Sequence, residues 1–76
     1  MLASDLEDLI VRTLVRQSGV SRRTWQLALG AVRVHDPASY PHCNWSVAPT
    51  GSSREIEQIE SLLDRLRLEH PIVAAG

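Results

Sequence analysis

The chain has 76 residues, of which 43% are hydrophobic and 22% are charged. A chain of this length and composition is expected to form one small globular domain and not a disordered segment. Eight basic and nine acidic side chains give a net charge of −1, which excludes a general polyanion-binding protein. The charge is unevenly distributed, because residues 1–34 carry a net +2 and residues 35–76 a net −3. All eight basic residues are arginine.

The first predicted helix covers residues 4–17. Ser4 is a candidate N-cap, and Glu7 three residues later completes a capping box. Gly19 supplies the left-handed residue that commonly ends a helix. Apolar side chains recur at three- and four-residue spacing and predict one buried face: Leu6, Leu9, Ile10 and Leu14.

A second helix is predicted over residues 21–33, with Ser21 as its N-cap. Gly30 offers an earlier end, since glycine is a poor helix former. The apolar face of this helix is expected to comprise Trp25, Ala28, Leu29 and Val32.

Residues 35–51 are predicted to form a long loop, because three prolines in this segment prevent a helix. A structureless loop of this length is uncommon in a small domain. We therefore expect Tyr40 and Trp45 to anchor it to the helices. The stretch from Asn44 to Ala48 is compatible with a short extended segment.

The third predicted helix covers residues 53–69. Ser52 and Glu55 form a capping box at its start, and Pro71 stops it. The tail after this helix is expected to be ordered only if Ile72 and Val73 pack on the domain. The apolar stripe of this helix is a candidate surface for a partner helix or a second copy: Ile59, Leu62, Leu63 and Leu66. Together these elements predict an all-α domain of three helices with one long loop.

The segment Val11–Leu29 contains a glycine, an apolar residue and a capping serine between two predicted helices. Gly19, Val20 and Ser21 occupy the turn, which resembles that of helix-turn-helix DNA-binding domains, especially repressors of the lactose-repressor class. The resemblance covers about a quarter of the chain. Val15 departs from it, because the family prefers a small residue there.

This resemblance implies that the second helix would enter the major groove of DNA. Arg22, Arg23 and Gln26 would then contact the DNA, since arginine suits guanine and glutamine suits adenine. Trp25 is bulkier than the aliphatic residue usual in the family. The alternative interpretation is a plain helical hairpin in which the glycine and the serine only turn the chain.

Side chains of metal-ligand type occur in and after the loop, but their spacing matches no zinc pattern. Adjacent His42 and Cys43 are poorly suited to bind one ion, because neighbouring side chains of an extended segment diverge. We therefore expect no metal and no cofactor. No catalytic motif accompanies Cys43 as a nucleophile, so an enzyme is not expected. The residues of ligand type are His35, Asp36, His42, Cys43 and His70.

The sequence is thus interpreted as a non-enzymatic protein-interaction module that associates with itself or with another protein. A helix-turn-helix regulator that contacts DNA through its second helix is the alternative. The lone cysteine, the acidic start of the chain and the absence of a long apolar run predict a cytoplasmic protein without membrane association.

Overall fold

The computed structural model describes all residues from 1 to 76. The chain is small and mostly helical, with three helices as predicted. The prediction of a small helical domain is confirmed, and a short antiparallel sheet of two strands, one of them in the predicted extended segment, adds to the helices. The elements in chain order are α1 (Ala3–Ser18), α2 (Arg22–Leu29), β1 (Arg33–Val34), β2 (Trp45–Ser46) and α3 (Ser53–Glu69).

Helix α1 begins at Ala3, and the predicted capping box of Ser4 and Glu7 is wrong. The end of the chain lies beside the helix start, so the backbone N–H of Ser4 donates to the carbonyl oxygen of Gly76 (2.6 Å). This contact supplies an acceptor that a capping side chain would otherwise provide. Glu7 instead accepts a hydrogen bond from the backbone N–H of Val32 (2.9 Å).

A three-residue turn joins α1 to α2, and the sequence predicted its chemistry. Gly19 has φ 73° and adopts the left-handed conformation. The Ser21 hydroxyl accepts from the backbone N–H of Thr24 (3.3 Å). Helix α2 nevertheless ends at Leu29 and not at residue 33, because Gly30 adopts φ 70° and ψ −152°, which no helix can continue.

The predicted loop contains strand β2, which pairs with β1 and lies within the predicted extended segment. In this ladder Arg33 lies opposite Ser46, and Val34 opposite Trp45. The pairing extends by one residue, since the backbone N–H of His35 donates to the carbonyl oxygen of Asn44 (2.6 Å). Residues 44–46 of this segment are therefore held by pairing with β1, which the local composition of the segment does not encode.

The C-terminal tail packs between β2 and the start of α1. The buried Asn44 side chain bonds to the backbone of Val73, and Val73 is itself buried. Ala74 then forms a parallel bridge with Leu2. Ile72 remains exposed, so only one of the two tail residues expected to pack is buried.

One hydrophobic core joins all three helices, the sheet and the tail. It contains fifteen buried apolar residues, with Leu6, Ile10 and Leu14 from α1 and Ile59 and Leu63 from α3 among those without exposure. No helix of the chain combines the length and the apolar composition needed to span a membrane.

Candidate nucleic-acid interface

The start of α2 presents three polar side chains to solvent. Arg22, Arg23 and Gln26 are all exposed, whereas Trp25 on the same helix is buried. The first backbone amides of α2 also lie at this exposed end, which carries the positive pole of the helix dipole. The three candidate DNA-contact residues are therefore all exposed in the first turns of α2.

One carboxylate joins the first helix to the start of the second. Asp8 Oδ2 accepts from Arg12 Nε (2.9 Å), and Asp8 Oδ1 accepts from Arg22 Nη2. Arg16 follows Arg12 by four residues, so both lie on the face of α1 that carries Asp8. We call the group of Arg12, Arg16, Arg22 and Arg23 the basic face. These four arginines and the nearby carboxylates of Asp8 and Glu7 give this region a formal charge of +2 in a chain whose net charge is −1.

Beside the basic face, a cleft of about 370 Å³ separates α1 from α2. Glu7 also lines it, but its carboxylate is occupied by the backbone of Val32. The cleft is therefore bordered by charged groups that already have partners. Its lining residues are Ser4, Glu7, Asp8, Val11, Arg22, Gln26, Leu29 and Gly30.

A serine at the end of α1 fixes the position of α2. The Ser18 hydroxyl donates to the carbonyl oxygen of Leu14 (2.8 Å) and accepts from the indole Nε1 of Trp25 (2.8 Å). The same oxygen accepts from the backbone N–H of Val20 (3.1 Å). Ser18 was not among the residues predicted from the sequence, although a hydroxyl directly before a helix-ending Gly19 is positioned for such contacts.

The apolar stripe of α3 does not form a surface, and its prediction as an interface is wrong. Ile59, Leu62, Leu63 and Leu66 are all buried in the core of the same chain. Trp45 of β2 and Val73 of the tail belong to the same core, so the burial of this stripe does not depend on the three helices alone. Leu68 lies off this stripe and is 85% exposed.

The two predicted loop anchors differ in the structure. Trp45 is 3% exposed, its indole Nε1 donates to the carbonyl oxygen of His70 (2.8 Å), and Arg67 lies over its ring. Tyr40 is 49% exposed and stacks on His35, 4.6 Å between ring centroids. The prediction for Tyr40 is therefore wrong, because its ring packs within its own segment and is not buried against the helices.

The residues of metal-ligand type do not converge. His35 bonds through Nε2 to the Ser46 hydroxyl (2.8 Å), and the Cys43 thiol lies 3.5 Å from the carbonyl oxygen of Trp45. Asp36 accepts from the backbone of Ala38. No group of three or more histidine, cysteine, aspartate or glutamate side chains is placed to hold a metal ion.

No family model, no curated protein and no solved structure matches this chain. What the basic face offers a ligand follows from its geometry. Guanidinium groups form paired hydrogen bonds to phosphate oxygens and to guanine, and an exposed helix start adds positive potential.

Proposed function

We propose that this protein binds duplex DNA through the basic face and the exposed side of α2. The observation that carries the proposal is the contact of Arg12 and Arg22 with the same carboxylate of Asp8. This contact places arginines from two helices side by side around an exposed helix start. Such a cluster fits a chain of phosphates better than an isolated arginine does.

The exposed side of α2 offers groups for the base edges. Arg23 and Leu27 are four residues apart and share one exposed face of the helix. Gln26 lies beside them, and Leu27 is 70% exposed. Arginine, glutamine and an apolar side chain match guanine, adenine and the thymine methyl group, respectively. The arginines of α1 would contact the phosphates flanking the groove.

The distribution of charge favours one orientation on DNA. The basic face belongs to the half of the chain with a net +2, whereas residues 35–76 carry a net −3. A polyanion attracts the first half and repels the second, so the protein approaches DNA with α2 foremost. The net charge of −1 keeps binding to arbitrary DNA weak at physiological salt.

A titration of fluorescent duplex DNA tests this proposal. The probe is a pool of random-sequence duplexes of about 20 base pairs, in about 50 mM salt, where phosphate contacts are strongest. We expect the anisotropy to rise with protein and the affinity to fall as salt increases. The double variant Arg22→Ala/Arg23→Ala should lose this binding.

The matched control is Arg33→Ala/Arg65→Ala, which removes two exposed arginines outside the basic face. It produces the same change in net charge, so it should retain most of the affinity. Equal losses in the two double variants would refute a specific role for the basic face. An absence of any salt-sensitive binding by the wild-type chain would refute the proposed function.

A second candidate function is a cytoplasmic protein-interaction module that self-associates through exposed apolar side chains. The bridge between Leu2 and Ala74 supports it, because paired residues project to one side of the ladder and Ile72 shares the side of Ala74. All three residues are exposed. Sedimentation equilibrium at high micromolar concentration should then show dimers, and a strict monomer would leave only contact with a different protein.

A further inference from the structure

We propose that Asp8 regulates the basic face by occupying the positions that DNA phosphates would take on Arg12 and Arg22. The inference rests on the proposed DNA binding and concerns the control of that same site. Asp8 contributes both of its oxygens, one to each arginine. A phosphate group that bridges two guanidinium groups uses two oxygens in the same way.

The exposure of the three side chains allows such competition. Asp8 is 45% exposed, and the arginine side chains are 58% and 47% exposed. Exposed ion pairs of this kind are weak, so a phosphate can displace the carboxylate from both partners. No other acidic side chain of the structure pairs with either arginine. Asp8 is therefore the single internal competitor for this part of the basic face.

Displacement costs free energy but leaves the number of phosphate contacts in the complex unchanged. While Asp8 holds Arg12 and Arg22, only Arg16 and Arg23 of the basic face are without an acidic partner. The wild-type chain must give up two ion pairs before Arg12 and Arg22 can contact phosphates. Replacement of Asp8 should therefore raise the affinity, whereas the dependence of affinity on salt should change little, because it follows the number of phosphates contacted.

The test compares Asp8→Asn with Asp64→Asn, each titrated with the random-sequence duplex pool across a range of salt. Asp64 pairs with Arg67 on α3, so its replacement causes the same change in net charge at an exposed ion pair away from the basic face. We expect Asp8→Asn to bind about tenfold more tightly at about 50 mM salt, with a salt dependence similar to that of the wild type. Asp64→Asn should bind as the wild type does.

The outcomes separate this inference from the proposed function. Wild-type binding that requires Arg22 and Arg23, with no gain in Asp8→Asn, would refute the competition and leave the proposed function standing. Equal gains in both asparagine variants would refute it as well, because net charge alone would explain them. Weaker binding by Asp8→Asn would also refute the competition, because the carboxylate would then position the arginines for DNA. Binding by no variant would refute both proposals.

Asp8→Ala serves as a second variant, since alanine also removes the hydrogen-bonding capacity that asparagine retains. It should show the same gain in affinity. Circular dichroism of each variant checks that the helices are intact, which is expected because Asp8 lies outside the core.

Discussion

The side chain of Asn44, directly before β2, pairs with the backbone of Val73 as a neighbouring strand would. Its Nδ2 donates to the carbonyl oxygen of Val73 (2.8 Å), and its Oδ1 accepts from the backbone N–H of the same residue (2.8 Å). This pair of hydrogen bonds reproduces the contacts that an opposing backbone would make. Asn44 is the single buried polar residue of the chain, and no buried side-chain polar atom lacks a partner. This side-chain amide therefore adds a buried contact to the backbone hydrogen bonds that join the tail to the start of α1.

Replacement of this amide should destabilise the protein strongly. Asn44→Ala leaves the buried N–H and carbonyl groups of Val73 without partners, and each such group costs about 1–3 kcal/mol. We expect the free energy of unfolding to fall by about 3 kcal/mol. Urea denaturation followed by circular dichroism measures it. Gln26→Ala, at an exposed position, should change it by less than about 0.5 kcal/mol, and equal effects would contradict the account.

The two aromatic residues of the segment between β1 and α3 should respond differently to truncation. Trp45→Ala removes a buried ring and the hydrogen bond to His70, a loss of about 3–5 kcal/mol. Stabilities of small domains begin at about 5 kcal/mol, so this variant is expected to be largely unfolded at 37 °C. Tyr40→Ala should keep its thermal midpoint within a few degrees. Similar midpoints for the two variants would show that Trp45 is not the anchor.

Two glycines with positive φ should tolerate alanine unequally. A Cβ at either Gly19 or Gly30 meets no atom within 4 Å, so only backbone conformation decides the cost. Gly19→Ala must adopt the left-handed region, at about 1–2 kcal/mol. Gly30 has ψ −152°, a region that is essentially restricted to glycine, so Gly30→Ala should cost more, up to about 3 kcal/mol. Thermal unfolding of both variants checks the order, and the reverse order would refute this explanation.

Acid should weaken the start of α3. The backbone N–H of Ser52 donates a hydrogen bond to the Glu55 carboxylate, and the Ser52 hydroxyl contributes less. Both hold the pKa of the Glu55 carboxyl below its ordinary value. A lowered pKa in the folded state means that the carboxylate stabilises the protein above its unfolded-state pKa. This contribution is lost as the pH falls through the folded-state pKa.

The difference in unfolding free energy between wild type and Glu55→Gln should therefore be largest near neutral pH and should shrink in acid. Urea titrations at several pH values measure it. Glu57→Gln, at an exposed position outside the capping box, is the control. A difference for Glu55→Gln that does not change with pH would contradict the role of the carboxylate.

Local chemistry predicted the start of α3 and the turn before α2, although it failed at the start of α1. The capping box of Ser52 and Glu55 marked the start of α3, and the predicted range of 53–69 is the one observed. Gly19 and Ser21 likewise marked the turn before α2. These signals act between residues three or four positions apart, so the sequence shows them directly.

Local sequence patterns could not predict the contacts between distant parts of the chain. The start of α1 depends on Gly76, more than seventy positions away, and the sheet and the tail meet through Asn44 and Val73. For the same reason the apolar stripe of α3 was assigned to an interface. This stripe is buried by residues of other segments of the chain, and only the tertiary structure shows where those segments lie.

The candidate site was predicted in part. Arg22, Arg23 and Gln26 were named from their places after a capping serine, and all three are exposed. The contribution of Arg12 to a common cluster was missed, although its pairing with Asp8 at four-residue spacing was visible in the sequence. Asp8 connects Arg12 to Arg22 only because α1 and α2 pack together, which the sequence does not show.

A titration of the ¹⁵N-labelled protein with the random-sequence duplex pool, followed by backbone amide NMR spectra, locates the residues that contact DNA. We expect the largest chemical-shift changes on Arg12, Arg16 and residues 22–27, and we expect them to diminish as salt is added. Changes concentrated on α3 or on the exposed side of Leu2 and Ile72, or no changes at all, would contradict DNA binding through the basic face.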